Sequence, residues 1–366
     1  MTSLDLYCAN NLAKLEKTQT LRKLKNVSIL KQHKLIYKSQ ILENFASNDY
    51  YGLAEHQDVT EAAIKALEKF GVGAQSSRLI CGNHDLYQQL ESDLANFVNS
   101  AAALTFGSGY LASASIVPAL CDRHDVIIAD KLIHSCLIDG ALLSKAKFLR
   151  YRHNDLKHLE EMIKEQHASC KKIMILTETI FSMDGDRADI NEIINIAKKY
   201  DAWLITDDAH GFGLNEKYIF YENHIKIGTF SKALGSYGGY VAGSENLCNF
   251  LLNRAKGLIY STALPANIIA ATSKALQLIK AGELVQSLLD NIEFFSSKAG
   301  FANLATPIFV KKFQQIELMQ QKYQQLLAEG FYVGAIRPPT VKEPRLRISI
   351  NALHKKDVLA RLALLL

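Results

Sequence analysis

The chain has 366 residues and a formal charge of +5, with 48% hydrophobic and 22% charged residues. This length exceeds that of one small domain and allows a large buried core. The charge is too small and too dispersed to indicate nucleic acid, and no apolar stretch is as long as a membrane span. The polar N-terminus lacks a secretory segment. We therefore expect a cytoplasmic globular protein without a nucleic-acid or membrane partner.

The six cysteines are scattered, with no C-x-x-C pair and no Cys/His ligand spacing. This pattern predicts reduced cysteines that serve packing, and no metal site.

Residues 1–44 predict an N-terminal arm, helical in period as far as Leu24 and followed by strands near 34–38 and 42–45. Residues 45–265 predict a large domain in which helical patterns alternate with short apolar strands. That alternation is typical of a mainly parallel sheet between helices. The seven strands are expected at residues 102–106, 126–128, 147–151, 173–177, 204–206, 226–230 and 240–242.

Residues 266–366 predict a smaller α+β C-terminal domain. Helices are expected over 245–260 and 266–284, and strands near 306–310, 332–336 and 345–350. The predicted fold class is therefore α/β, with a mainly parallel seven-stranded sheet flanked by helices and a smaller second domain.

One lysine lies in a run of hydroxyl and glycine residues, Thr229-Phe-Ser-Lys-Ala-Leu-Gly-Ser-Tyr-Gly-Gly-Tyr-Val-Ala-Gly243. An amine is nucleophilic only when it is unprotonated, so a catalytic lysine needs a partly desolvated or electropositive site. The apolar strand before Lys232 supplies such a setting, Thr229 and Ser231 offer hydroxyls to an anion, and the following glycines would let backbone approach a bulky ligand. The pattern predicts a Schiff-base lysine with pyridoxal 5′-phosphate as cofactor. A surface lysine in a glycine-rich loop is the alternative.

A second motif, Trp203-Leu-Ile-Thr-Asp-Asp-Ala-His-Gly-Phe-Gly213, places an aspartate at the end of an apolar strand. Ligands of open α/β sheets bind at such strand ends. A carboxylate against the pyridine nitrogen keeps that nitrogen protonated and the ring an electron sink. We assign this role to Asp207 and expect His210 to hydrogen-bond the ring 3′-oxygen. Helix capping by Asp207 and Asp208, and a structural loop histidine, are the alternatives.

Further runs extend these two motifs along the chain. They are Asn44-Phe-Ala-Ser-Asn-Asp-Tyr-Tyr-Gly-Leu53, Ser77-Arg-Leu-Ile-Cys-Gly-Asn-His84, Phe106-Gly-Ser-Gly-Tyr110, Ala129-Asp-Lys-Leu-Ile-His134, Thr177-Glu-Thr-Ile-Phe-Ser-Met-Asp-Gly-Asp186, Ile259-Tyr-Ser-Thr-Ala-Leu-Pro265 and Ile336-Arg-Pro-Pro-Thr-Val341.

With these runs the chain resembles, from about Arg22 to its C-terminus, the α-oxoamine synthases. These are fold-type-I pyridoxal-phosphate enzymes that join an amino acid to an acyl thioester with loss of carbon dioxide. The Ile336–Val341 run favours the branch that condenses L-alanine with a pimeloyl thioester in biotin biosynthesis. Another α-oxoamine synthase, such as a glycine C-acyltransferase, and an aminotransferase of the same fold are the alternatives.

The resemblance implies roles for matching residues. The cofactor-binding residues would be Ser108, Gly109, Tyr110, His134, Ser182, Asp207, His210, Thr229, Lys232 and Thr262. The catalytic group would be Lys232, His134, Asp207 and His210. His134 would stack on the cofactor ring, and the start of a helix at Ser108 would bind the phosphate. Thr262 would come from the neighbouring subunit, which implies a homodimer with shared active sites.

For the amino-acid carboxylate the resemblance implies Asn48, Ser182 and Arg347. Arg345 shares a face with Arg347 if the strand alternates, so both arginines remain candidates. Glu178 would lie beside the cofactor or act as a buried ion-pair partner.

The distal carboxylate of a pimeloyl group needs a cationic partner, and Arg22 and Arg337 are available. A solvated helix face and a structural ion pair are their alternative roles. The acyl donor would be the CoA or the acyl carrier protein thioester; basic surface could dock an acidic carrier, although a solvated face is the favoured explanation of that surface. Where the family reads Gly-x-Gly-Ser-Gly-Gly-Ser-Arg, this chain has Gly71-Val-Gly-Ala-Gln-Ser-Ser-Arg78, which lacks two glycines.

Overall fold

The computed structural model describes residues 1–18, 20–214 and 218–366. The strands are β1 (Ser28–Leu30), β2 (Lys34–Tyr37), β3 (Gln40–Phe45), β4 (Ala102–Phe106), β5 (Val126–Asp130), β6 (Lys147–Tyr151), β7 (Ile173–Glu178), β8 (Trp203–Asp207), β9 (His224–Thr229), β10 (Gly239–Gly243), β11 (Ile308–Lys312), β12 (Phe331–Ile336) and β13 (Arg345–Ser349). The helices are α1 (Ser3–Lys17), α2 (Gln57–Phe70), α3 (Leu86–Phe97), α4 (Gly109–Leu120), α5 (Ser135–Ser144), α6 (Leu156–His167), α7 (Ile190–Lys199), α8 (Glu245–Arg254), α9 (Lys256–Ile259), α10 (Ala266–Lys280), α11 (Glu283–Ala299), α12 (Ile316–Ala328) and α13 (Lys356–Leu364).

The larger sheet has the seven strands that the sequence predicts, in the order β4-β10-β9-β8-β7-β5-β6. Only β10 runs antiparallel to its neighbours. Successive residues of the central strands enter separate cores on the two faces: Ile127 and Met174 pack on one side, and Ile128 and Ile175 on the other. Both faces are covered, which is why these strands read as continuous apolar runs.

This topology brings the carboxyl ends of β4, β5, β7, β8 and β9 to one edge of the sheet. Glu178 and Asp207, the last residues of β7 and β8, are register partners there. Thr229 ends β9 at the same edge. Ligands of open α/β sheets bind beyond such an edge.

The second sheet has six strands in the order β1-β2-β3-β12-β13-β11. Its β3 pairs in parallel with β12, so strands from the two ends of the chain share one sheet. Phe45 and Phe331 meet in the core beneath it, with ring centroids 5.9 Å apart. The division into an arm (1–44), a large domain (45–265) and a small domain (266–366) stays a prediction.

Three helix predictions need correction. Helix α1 ends at Lys17 instead of continuing to Leu24, and none of its side chains is buried. The stretch 245–260 breaks between α8 and α9 at Ala255. The helix expected over 266–284 ends at Lys280, because Gly282 adopts a left-handed φ of 89° before α11 begins. Among the described residues, no helix combines the length and apolarity needed to cross a membrane.

Candidate active site

Lys232 and His210 meet beyond the ends of β8 and β9. The Nζ atom of Lys232 lies 2.8 Å from Nε2 of His210. Burial lowers the pKa of Lys232 below its ordinary value, although the carboxylates of Asp207 and Glu178 oppose the shift. Burial and the neighbouring cations also hold the pKa of His210 well below its usual range. We call Lys232, His210, Asp207 and Glu178 the sheet-edge site.

Asp207 and Asp208 point to different partners. The Oδ1 atom of Asp207 accepts a hydrogen bond from the amide of Ala209 at 2.9 Å. Burial raises the pKa of this carboxyl, and the nearby Lys232 ammonium opposes that rise. Asp208 instead accepts a hydrogen bond from the Thr179 hydroxyl at 2.8 Å. Asp207 is therefore the member of the pair that belongs to the sheet-edge site.

Glu178 is buried beside Asp207. Its Oε2 atom accepts a hydrogen bond from the Ser182 amide at 3.3 Å, while Oε1 is buried without a hydrogen-bond partner among the described residues. No ion pair of Glu178 forms within the described parts of the chain, so the ion-pair alternative has no structural support. Burial and the Asp207 charge raise the pKa of Glu178 well above its ordinary value.

The start of α4 forms a potential anion site beside Thr229. Ser108 caps the helix, its hydroxyl accepting from the Leu111 amide at 3.1 Å. The amides of Gly109 and Tyr110 are first-turn donors that lack an intrahelical acceptor. A Cβ atom on Gly109 would lie 2.9 Å from Cβ of Thr229, so only glycine lets the helix start so close to β9.

Two hydroxyls at this position are linked to each other. The Thr229 hydroxyl donates to the carbonyl of Gly238 at 2.9 Å and lies 2.7 Å from that of Ser231. Because the single Thr229 proton goes to Gly238, Ser231 donates in this contact, and either hydroxyl would have to reorient to donate to an anion. The phenol of Tyr110 donates to Asp139, and its side chain is exposed.

The glycines after Lys232 serve a different purpose from the one expected. A Cβ on Gly235 would lie 2.2 Å from the Ala54 nitrogen, and one on Gly239 would lie 2.5 Å from the Gly109 nitrogen. A Cβ on Gly238 would contact Leu264 at 2.7 Å. The expectation that these glycines admit a ligand was wrong: they let protein segments pack against one another.

His134 lies at the N-terminus of α5. Its Nδ1 atom accepts from the Cys136 amide at 3.3 Å, and its side chain is exposed. Partial burial lowers the pKa of this imidazole, the Asp207 carboxylate opposes that shift and the Lys232 charge adds to it, so the ring is within electrostatic reach of the sheet-edge site. Part of the imidazole is thus accessible to a ligand at this edge of the sheet.

The structure separates the two candidate arginines of β13. Arg345 donates to the Met183 carbonyl and to the Asp184 carboxylate, each at 2.8 Å. Arg347 donates to the Ser182 carbonyl at 2.7 Å and to the Tyr50 hydroxyl at 3.4 Å. Both side chains reach the same turn, as the strand alternation predicts. Only Arg347 connects to the sheet-edge site.

Tyr50 is a site residue that the sequence reasoning missed. Its hydroxyl lies 2.6 Å from Nδ1 of His210 and 3.2 Å from the side-chain oxygen of Asn48. The available signal was its position in the Asn44–Leu53 run, two residues after Asn48. A buried tyrosine in such a run is more often packing, so the pattern alone did not single it out.

Thr262 is exposed and pairs through an isolated β-bridge with Ser77. The loop 71–78 beside it retains a left-handed backbone conformation that is typical of a glycine-rich turn. Gln75, at a position where the family has glycine, adopts a φ of 62°. The loss of this glycine therefore does not remove the left-handed conformation.

Arg22 and Arg337 line one cavity of about 660 Å³, which we call the arm cleft. Its lining residues are Arg22, Lys23, Leu24, Lys25, Met319, Gln320, Tyr323, Gln324, Ala335, Ile336, Arg337 and Thr340. Arg22 donates to the Thr340 hydroxyl at 2.8 Å, and Arg337 donates to the Leu21 carbonyl. Arg22 lies outside every helix, so the expected alternative of a helix face was wrong. Within the described residues, Arg337 forms no ion pair, and the lining has four cations and no carboxylate.

Comparison with known proteins places this geometry in a family. Residues 40–364 match the family Aminotransferase class I and II. The 8-amino-7-oxononanoate synthase of Methylobacterium nodulans is 42% identical over 87% of this chain and 85% of its own. The crystal structure of 8-amino-7-oxononanoate synthase from Francisella tularensis is 28% identical, with a TM-score of 0.74 over 87% of this chain and 95% of that one.

A serine palmitoyltransferase from S. paucimobilis, solved with a bound PLP–myriocin aldimine, superposes with a TM-score of 0.87 over 100% of this chain and 97% of that one. At 23% identity it shows the fold alone. The fold and site define a fold-type-I pyridoxal-phosphate transferase. The chain belongs to the α-oxoamine synthase family and most resembles 8-amino-7-oxononanoate synthase.

Proposed function

We propose that this chain is a pyridoxal-phosphate-dependent acyltransferase that condenses L-alanine with a pimeloyl thioester to give 8-amino-7-oxononanoate and carbon dioxide, a step of biotin biosynthesis. The single observation that carries the proposal is the juxtaposition of Lys232, His210 and Arg347, the last brought from the other sheet. The names of relatives such as the Methylobacterium nodulans protein support the reaction.

The residues at the sheet edge fit the cofactor. Asp207 is a buried carboxylate that needs a cationic partner, which a protonated pyridine nitrogen would supply. The amides of Gly109 and Tyr110 and the Ser231 and Thr229 hydroxyls would bind its phosphate. Exposed His134 would cover one face of the ring, Ser182 would flank it, and His210 would donate to its 3′-oxygen. When bound, pyridoxal phosphate supplies a sink for the electron pair left on the alanine Cα atom.

Lys232 has two proposed roles. It would hold the cofactor at rest. Once alanine has taken its place, its Nζ atom takes the Cα proton and later returns a proton to the product. Burial favours the neutral amine that this second role requires, because it lowers the pKa of Lys232.

Arg347 is the proposed partner of the alanine carboxylate. Three of its five N–H groups are engaged by the Ser182 carbonyl, the Ser349 hydroxyl and the Tyr50 hydroxyl. The remaining two can donate to a carboxylate, and Asn48 lies beside Tyr50 to add an amide donor. A guanidinium held in this way would fix the orientation of the Cα–H bond relative to the ring.

Arg22 and Arg337 are the proposed partners of the distal pimeloyl carboxylate. Neither is neutralised by an ion pair among the described residues, and the arm cleft that they line has no carboxylate of its own. An anionic acyl terminus would supply the missing negative charge.

A comparative steady-state assay with the CoA and the carrier-protein thioesters would identify the physiological acyl donor.

The active enzyme is proposed to be a homodimer in which Thr262 contributes to the neighbouring site. Its exposure supports this, as do the exposed apolar side chains of Tyr260, two residues before it, and of Leu79 and Ile80, which follow its bridge partner Ser77. Light scattering on the active enzyme is expected to show a dimer, and a fully active monomer would exclude the shared site.

The reaction is tested by carbon dioxide release from L-alanine and pimeloyl-CoA. Release that requires both substrates would support C–C bond formation, whereas an aminotransferase would release none and would need an amino acceptor. Replacing them with glycine and acetyl- or succinyl-CoA tests the alternative of a glycine C-acyltransferase. Faster turnover with either glycine pair would contradict the proposal.

A further inference from the structure

The hydroxyl of Tyr50 lies at the centre of a buried polar chain. The side chain is 1% exposed. Its oxygen lies 2.6 Å from Nδ1 of His210, 3.2 Å from the Asn48 side-chain oxygen and 3.4 Å from Nη2 of Arg347. The opposite nitrogen of His210 lies 2.8 Å from Lys232. One phenol and one imidazole thus connect the proposed carboxylate site to the catalytic lysine.

The His210 imidazole in this polar chain is neutral. Burial, followed by the charges of Lys232, Arg347 and His134, holds the pKa of His210 well below its usual range. A neutral imidazole carries one proton, so one ring nitrogen donates and the other accepts. The partner of Nδ1 therefore decides what Nε2 can do toward Lys232.

The donors around Tyr50 favour one arrangement. A guanidinium can only donate, so the Tyr50 oxygen accepts from Arg347 and keeps its single proton for Nδ1 of His210 or for Asn48. The distance to Nδ1 is the shorter of the two, 2.6 Å against 3.2 Å. The neighbouring cation also strengthens the phenol as a donor. With Nδ1 as the acceptor, the imidazole proton lies on Nε2, and in the 2.8 Å contact of Nε2 with Lys232 the neutral amine, which burial favours, is then the acceptor.

We propose that Tyr50 is a positioning residue whose hydroxyl donates to Nδ1 of His210 and so keeps the ring proton on Nε2, on the Lys232 side. The inference rests on the proposed function, because the 3′-oxygen of the cofactor is the group that would need this donor. A donor at that oxygen stabilises its anion and lowers the pKa of the lysine-linked cofactor. Without Tyr50, both tautomers of His210 become accessible and the donor is weakened.

The first test is a pH titration of the visible absorbance of the holoenzyme. In Tyr50→Phe, we expect the midpoint to rise by about one pH unit. The groups whose charges act on Lys232 remain in place: Asp207, Glu178, Arg347 and Cys136. Tyr51→Phe is the matched control, because it removes an equally buried hydroxyl that donates to the Phe212 carbonyl. Its midpoint should equal that of the wild type.

The second test uses the wild-type enzyme, so it does not depend on whether the Tyr50 variant folds. The measurement is the ¹⁵N NMR spectrum of labelled wild-type holoenzyme. The His210 resonance is assigned by its loss in His210→Gln, and it should show a proton on Nε2. A proton on Nδ1 would overturn the inference, as would an unchanged midpoint in Tyr50→Phe or an equal shift in Tyr51→Phe. A wild-type enzyme with no lysine-linked absorbance would instead refute the proposed cofactor site, and the inference with it.

Discussion

The sheet-edge site and the arm cleft both gather candidate residues, but they hold them differently. Lys232, His210 and Asp207 lie at the ends of two adjacent strands, and each contacts a fixed backbone or side-chain partner. Arg22 and Arg337 come from chain segments more than 300 residues apart and reach the cleft through the Leu21 carbonyl and the Thr340 hydroxyl. The first arrangement is typical of chemistry that tolerates little displacement, whereas the second suits recognition of a flexible acyl chain.

The largest expected effect is at the sheet edge. Lys232→Ala should abolish both turnover and the visible absorbance of the lysine-linked cofactor, because no other amine occupies that position. Absorbance spectra and carbon dioxide release would measure the two losses. Lys226→Ala, within β9, removes an amine that donates to the Asn99 carbonyl and should keep the absorbance. Retention of both signals by Lys232→Ala would refute the assignment.

Asp207→Asn should retain cofactor but lose about three orders of magnitude in kcat, roughly 4 kcal/mol of transition-state stabilisation, because an amide cannot keep the pyridine nitrogen protonated. Asp208→Asn is the matched control. It changes a carboxylate that accepts from Thr179 and should affect turnover less. Steady-state kinetics at saturating cofactor compare the two, and equal rates in both variants would contradict the assignment.

Arg347→Lys should reduce kcat/KM for L-alanine by about 100-fold, near 3 kcal/mol, because lysine cannot form a bidentate bond with a carboxylate. Arg345→Lys lies two residues away on the same strand and breaks its bonds to Asp184 and Met183. It should lower Tm with little change in the KM for alanine. The reverse result would show that Arg345 binds the substrate.

At the arm cleft we expect a smaller, substrate-specific effect. Arg337→Ala or Arg22→Ala should raise the KM for the pimeloyl thioester by about tenfold and leave alanine binding nearly unchanged, because the distal carboxylate loses a charged partner. With the methyl ester of that carboxylate the effect should disappear. Lys23→Ala removes a neighbouring cation of the cleft and is the control for general charge. Unaltered pimeloyl KM values in both arginine variants would exclude the cleft as the acyl site.

The smallest expected effect on turnover concerns the ion pairs that support the sheet edge, where the change is in stability. His153 bridges Asp130 at the end of β5 and Asp186 after β7, at 2.9 and 2.7 Å. Burial alone would lower the pKa of His153, but hydrogen bonds to the two carboxylates outweigh it and raise the pKa to about 10. Because the folded pKa exceeds the unfolded value, this stabilisation is complete below about pH 6.5 and is lost as the pH rises through about 10.

His153→Gln should therefore lower the free energy of unfolding by about 1–3 kcal/mol at pH 6, with the deficit shrinking toward pH 10. Urea denaturation at several pH values would measure it. In an Asp186→Asn background, His153→Gln should lower the free energy of unfolding by less, and that loss should depend less on pH. A deficit that is constant from pH 6 to 10 would show that the ion pairs do not contribute.

The large sheet was predictable because its strands are buried on both faces. Burial on two sides makes each strand a continuous apolar run, and the seven predicted runs match β4 to β10. Helix ends were less predictable. The leucine spacing that predicted a helix as far as Leu24 is a local signal. In the structure α1 ends before Thr18, whose hydroxyl donates to the Lys14 carbonyl.

Candidate residues in the lysine and aspartate motifs could also be predicted. Asp207 ends one apolar strand and Lys232 follows the next, and parallel strands end at one edge, so their proximity follows from local pattern and topology. Tyr50 could not be selected in this way. Its contact with His210 joins residues 160 positions apart, and nothing in its immediate neighbours distinguishes it from a packing tyrosine.

The sequence by itself determined the order of the sheet-forming segments, the lysine and aspartate at their ends and the family to which they belong. These depend on periodicity and on short runs that act locally. Only the tertiary structure decided that Arg347 and not Arg345 reaches the site, that the glycines after Lys232 pack against protein, and that Tyr50 joins His210. Each of those depends on a contact between distant segments, and the free energy of such a contact comes from packing that no local pattern specifies.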